Sequence, residues 1–192
     1  MVKDNMVTGI ELDFDSKPEF CEPCLKGKAT RKPFPKKSQT MYQNYGDKVV
    51  ADTWGPAQVE SLSRKQYLQI FQDIASHKER VYFSLHKSEG FENYKKYEAW
   101  VKIQRGVKIK IFGTDRGGKF TSKAFNEHLE EIGTIHHLTA HDSPSSNGAV
   151  ERANQTHMEC ALAMLAASKL PENLWAEAVH HSVYKIKFRR KH

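Results

Sequence analysis

The chain has 192 residues, 39% of them apolar and 28% charged, which is enough for one domain of ordinary size with short extensions. No run approaches 18 apolar residues, so no membrane span and no membrane partner are expected; Met1 to Asn5 opens no signal-peptide run, so export is not expected. Lys and Arg number 30 against 23 Asp and Glu, a formal charge of +7 that suits a polyanionic partner as well as a solvated basic face.

The distribution of charge favours the partner. Lys26, Lys28, Arg31, Lys32, Lys36 and Lys37 cluster in one stretch, and Lys185, Lys187, Arg189, Arg190 and Lys191 in another. Either cluster could meet a phosphate backbone. Three cysteines make no disulfide scaffold: Cys21 and Cys24 are paired by spacing, and Cys160 reads as a small buried residue.

In chain order, residues 1–46 form an extended arm, carrying the cysteine pair, the basic run and Pro18, Pro23, Pro33 and Pro35. Residues 47–185 form the folded core, and 186–192 a basic tail. Strands are expected over Lys48 to Trp54, Gln66 to Asp73 and Arg80 to Leu85, joined by short links that favour an antiparallel meander. Ser88 opens a helix with Glu89 in its first turn and Phe91, Tyr94, Tyr97 and Val101 on one stripe, ending at Gly106. A strand from Val107 to Phe112 leads to Gly113-Thr114-Asp115. Ser122 caps a helix whose Phe125, Leu129 and Ile132 face inward, closed by Gly133; Thr134 to Leu138 is a fifth strand. After a loop of turn-formers, Asp142 to Gly148, a long helix runs from Ala149 to Ser168, with Val150, Ala153, His157, Ala161 and Met164 on one side. Pro171 starts a last helix reaching Lys185. This order gives an α/β layer fold, a five-stranded mixed sheet flanked by helices.

Three acids stand out. Asp52 lies in an apolar strand, where a carboxylate is costly unless paired or metal-bound. Asp115 ends the fourth strand, before Gly117-Gly118. Glu151 opens the long helix, with Asn154 and Gln155 on its face. Taken singly, each has a plainer reading: an ion pair for Asp52, a turn for Asp115, the helix dipole for Glu151. Asp47, Asp73 and Asp142 compete for the same role.

The spacing of Asp52, Asp115 and Glu151, and the motifs around them, resemble the acid triad of retroviral and retrotransposon integrases. Ala51-Asp52-Thr53-Trp54-Gly55-Pro56, Thr114 to Phe120 and Ser143 to Asn154 match in order, and Phe20 to Pro35 resembles the junction before the core in copia-type elements. The resemblance implies an RNase H-like fold. It implies Mg²⁺ or Mn²⁺ on Asp52, Asp115 and Glu151, and trimming of DNA ends followed by strand transfer. It implies element ends and target DNA as partners, with RNA a further candidate. It also implies homo-oligomers and work in the nucleus or in a cytoplasmic particle. Lys119, Asn147, Arg152 and Asn154 would face DNA.

Two departures accompany it. Lys119 stands where the copia-type pattern usually has Glu. Cys21 and Cys24 form half of a zinc site whose two His are missing, since the first His is His77; tetrahedral zinc needs four ligands. A truncated fragment that binds nucleic acid without catalysis is the alternative, and an RNase H-like nuclease a third reading. The remaining His read as surface or satisfied groups, and Trp100 and Trp175 as core; Trp54, two residues from Asp52, stays open as a base-stacking platform.

Overall fold

The computed structural model describes residues 41–115, 120, 122–138 and 148–189, with side chains through residue 185. All belong to one unit running over 37–192. Five strands make a single sheet: β1 (Lys48–Trp54), β2 (Tyr67–Asp73), β3 (Glu79–Ser84), β4 (Ile111–Thr114) and β5 (Ile135–Leu138), in the order β3-β2-β1-β4-β5. β1, β2 and β3 form the expected antiparallel meander, with a short link from β2 to β3 and a longer one, residues 55–66, from β1 to β2. β4 and β5 add in parallel on the other side of β1, each after a helical crossover.

Helices α1 (Gly90–Arg105), α2 (Lys123–Ile132), α3 (Gly148–Ser168) and α4 (Trp175–Arg189) cover both faces. The period of two along β1 divides the core. Val49 and Ala51 pack with Phe71, Phe112, Tyr94 of α1 and Phe125 of α2. Val50 packs on the opposite face with Leu68, Ile70, Val150 of α3 and Val179 of α4. The result is a mixed sheet between two helical layers. Ser122 caps α2 as expected, its hydroxyl accepting from the Phe125 amide at 3.2 Å.

Four local expectations are corrected. The fourth strand is Ile111–Thr114 rather than Val107 to Phe112. Gly46, with φ of 87°, bends the chain just before β1. The ladder therefore begins only where Lys48 pairs with Ile111. Ser88 does not open α1; a 3₁₀ turn over Lys87–Glu89 precedes it. There the Glu89 carboxylate accepts from the Leu85 and His86 amides at 2.9 and 2.7 Å. Met164 is only half-buried on α3, where Met158 and Leu165 complete the buried stripe instead. Cys160 is exposed, because the helical period carries it off the edge of that stripe.

Candidate active site

β1 and β4 run parallel, with Val49 opposite Phe112 and Val50 opposite Gly113. The same offset, continued by two residues, brings Asp52 level with Asp115. Strand alternation puts both carboxylates on the Val50 face, under α3 and α4. Both aspartates are half-buried.

α3 crosses this point in its second turn. Asn154 is 5% exposed, and its Nδ2 donates to Asp52 Oδ2 at 2.6 Å. That charge-assisted bond explains how an apolar strand tolerates a carboxylate. Glu151 stands three residues earlier on α3 and is exposed. Arg152 is exposed as well, its Nη1 3.1 Å from where a Cβ on Gly148 would stand. Gln155 is exposed and donates to Glu159 at 2.8 Å.

The end of β4 is fixed from its other side. His136 of β5 has Nδ1 3.2 Å from Asn126 Oδ1 and Nε2 2.9 Å from Thr114 Oγ1. The amide oxygen of Asn126 only accepts, so Nδ1 carries the proton and Nε2 of the neutral ring accepts from the Thr114 hydroxyl. Burial, with His137 adjacent, pulls the His136 pKa down and favours that neutral ring. Thr114 immediately precedes Asp115, so its anchoring limits where that acid can move.

The donor set suits a hard divalent cation on chemical grounds, since it offers carboxylate oxygens and no soft ligand. Among the described residues, no group of three or more His, Cys, Asp or Glu side chains stands close enough to hold one ion. The β1–β4 register leads Asp52 and Asp115 towards one row, and the three acids do not form one such group among the described residues.

The competing acids have structural partners. Asp73 is fully buried and accepts from the Gly46 amide at 2.9 Å and from the Ser76 hydroxyl at 2.6 Å. Asp47 pairs with Lys110 at 2.8 Å. His157 is a satisfied core histidine between Glu79 and Ser182. Trp175 is core at 4% exposure. Trp54 is half-buried and meets Trp175 edge-on at 5.7 Å. Cys21, Cys24, Lys119, Asp142 and Asn147 lie outside the described residues. The bond from Asn154 to Asp52 was not foreseen; the one signal for it was the position of Asn154 on the Glu151 face.

No family model matches the chain. In sequence it is 37% identical over 166 residues to the retrovirus-related Pol polyprotein from transposon TNT 1-94 of Nicotiana tabacum. The match covers 86% of this chain and 12% of that protein, so the chain spans a small part of its relative's length. In fold it is similar to a chain of the simian T-cell lymphotropic virus intasome, solved with the PP2A regulatory subunit B56 gamma. The TM-score is 0.66 at 16% identity, covering 86% of this chain and 56% of that one. It is also similar to the HTLV-2 integrase catalytic core domain in complex with magnesium, in a trimeric form. There the TM-score is 0.54 at 18% identity, covering 73% and 84% respectively. The chain is related in sequence to part of a retrotransposon Pol polyprotein, and its fold is the RNase H-like fold of retroviral integrase catalytic cores.

Proposed function

We propose that this chain is the polynucleotidyl-transferase core of a copia-type retrotransposon integrase. It trims the element's DNA ends with water and joins the new 3′-hydroxyl to target DNA. The observation that carries this reading is the bond from Asn154 of α3 to Asp52, on a strand whose register with β4 leads towards Asp115.

Asp52, Asp115 and Glu151 would hold Mg²⁺ or Mn²⁺. The magnesium of the HTLV-2 core supports that choice. A divalent ion there would activate the attacking oxygen and stabilise the leaving oxygen of an in-line displacement. The residues of the chain orient the participants. Asn154 fixes one oxygen of Asp52 and so restricts rotation of that carboxylate. The start of α3 offers the positive end of its dipole, with Arg152 exposed beside it, to a phosphate backbone. By resemblance, Lys119 and Asn147 would also contact DNA, and Cys21 and Cys24 would belong to a zinc site. The chain would act as a multimer on two DNA ends in the nucleus; the intasome and trimeric forms of its structural neighbours support multimers.

One observation favours a second reading, a fragment that binds nucleic acid without catalysis. Among the described residues, Asp52, Asp115 and Glu151 do not come together as one three-membered group. Joining of a labelled DNA end to a target duplex, with Mn²⁺ or Mg²⁺, separates the readings. Joining by the wild type and none by Asp52→Asn supports the integrase. Cleavage without joining supports a nuclease, and binding with neither supports the fragment.

A further inference from the structure

A chain of side chains holds the end of β4 on the sheet face that carries Phe112. His136 stands opposite Phe112 in the parallel register of β4 and β5. Its ring lies 24° from parallel with that of Phe112, their centres 6.2 Å apart, and meets Phe125 of α2 edge-on at 5.5 Å. Held there, its nitrogens face two partners. Nδ1 lies 3.2 Å from Asn126 Oδ1, and Nε2 lies 2.9 Å from Thr114 Oγ1. The Asn126 oxygen leaves the ring proton on Nδ1, so the Thr114 hydroxyl donates to Nε2. Asn126 directly follows Phe125, so α2 supplies both the ring contact and the acceptor.

Two features separate this chain from an ordinary half-buried histidine. Aromatic packing alone would be met by Phe, which needs no polar partner. The bonds also converge where the sheet gives out. β1 pairs with β4 only as far as Gly113, and β5 only as far as Thr114. β4 is four residues long and ends there. Both ladders thus stop before Asp115, and the backbone at Asp115 takes its direction from Thr114. Thr114 is fully buried, so its hydroxyl must find its acceptor inside the protein, and His136 Nε2 supplies one. Strand alternation then turns the next side chain, Asp115, away from the tether and towards the opposite face.

We infer that His136, held by Asn126, is a positioning residue for Asp115. Through the Thr114 hydroxyl it fixes the end of β4, and with it the direction in which the Asp115 carboxylate is presented. His136 touches no reacting group and acts only through Thr114. Partners of this kind, one step behind a metal ligand, set the ligand's orientation and are felt in the affinity of the site. Asn154 does the same for Asp52 from α3, so each aspartate is steadied by a different helix: Asp52 by α3, and Asp115 by α2 through β5. The inference rests on the reading that Asp115 is a ligand for a divalent cation.

The test pairs Mn²⁺ titration calorimetry with metal-free amide exchange by NMR, both on the full chain. His136→Phe keeps a ring beside Phe112 and Phe125 but removes both bonds, and Thr114→Val removes the hydroxyl at nearly constant shape. Each should weaken Mn²⁺ binding about tenfold, the lower end of the effect of such partners. The double variant should be no weaker than either single one, because both break the same chain. Thr114→Ser and His136→Gln, which keep a hydroxyl and an acceptor in place, should retain most of the affinity. Without metal, the amides of Thr114 and Asp115 should exchange faster in His136→Phe than in the wild type, while Phe112 stays protected. Wild-type affinity in a folded His136→Phe would overturn the inference and leave the cation site standing. Equal losses in all four single variants would overturn it too, since the bonds would then be irrelevant. If the wild type binds no Mn²⁺, the cation reading falls. Amide exchange then decides alone: faster exchange upholds His136 as the anchor of Asp115, and unchanged exchange overturns it.

Discussion

Asn154 donates its side-chain amide to Asp52 Oδ2 at 2.6 Å, tying the second turn of α3 to the end of β1 across 102 positions of the chain. The bond couples the helix that carries Glu151 to the strand that carries Asp52. A change in the tilt of α3 is therefore felt at the carboxylate. Asn154→Ala should lower strand transfer by about ten- to a hundredfold, the size of effect that a small misplacement of reacting groups produces. It should cost about 1–3 kcal/mol of stability, the range for orphaning a buried partner. Joining rates and urea melts on the same preparation give both numbers; an unchanged rate would remove Asn154 from the site.

A second buried connection holds the other flank of α3. Ser182 Oγ donates to Val179 O at 2.8 Å, so His157 Nδ1 must donate to Ser182 at 2.8 Å. One proton then lies between His157 Nε2 and Glu79 Oε2 at 2.7 Å, while Gln72 Nε2 donates to Glu79 Oε1 at 2.8 Å. Glu79→Ala should destabilise the fold by about 3–5 kcal/mol, because it leaves a buried group without its partner. The double change His157→Leu with Glu79→Leu should cost less than the two single losses combined. A urea-unfolding cycle measures the coupling, and a value near zero would mean the pair is not mutually supporting.

Much of this fold was legible because the patterns are local. The period of two in Lys48 to Trp54 marks β1 and predicts that Asp52 shares a face with Val50. Ser122 and Gly133 bracket α2 by residue type alone. What was not legible depends on partners far along the chain. Nothing near Val107 says that its strand must wait for Gly46 to finish a turn elsewhere. Nothing in the long helix names Glu79, 78 positions away, as the partner of His157. Cys160 was misread for a different reason: a cysteine's usual burial was given more weight than its position off the helical stripe. In the candidate site, motif spacing selected the acids, while the strand register and the Asn154 bond came only with the fold.

Gly55 follows the strand that bears Asp52 and has φ of 124°, a region that side chains rarely enter. A Cβ there would stand 2.6 Å from Gln66 O and 2.9 Å from Tyr67 Cδ1. Gly55→Ala should therefore cost at least about 1–3 kcal/mol, read as an earlier urea midpoint. An unmoved midpoint would mean that this turn relaxes without strain.

Asp47 should make one region of acid stability visible. Its bond to Lys110 comes first, with the Asn44 and Gln43 amides adding to it, and together they lower its pKa from 3.8 to about 2. A carboxyl with a depressed folded pKa contributes fully above its unfolded pKa and loses that contribution as pH falls through the folded one. Wild type should be more stable than Asp47→Asn at neutral pH, and the two should converge as pH drops from about 4 towards 2. Circular-dichroism melts over that range check it; a constant gap would assign the difference to something other than this carboxylate.

Asp52, Asp115 and Glu151 should act as one divalent-cation site. Titration calorimetry with Mn²⁺ or Mg²⁺ on the wild type and on Asp52→Asn, Asp115→Asn and Glu151→Gln tests it most directly. Binding by the wild type and its loss in each variant are expected, with all four chains melting as folded proteins. Wild-type binding that survives all three substitutions, or no binding by the wild type, would contradict it.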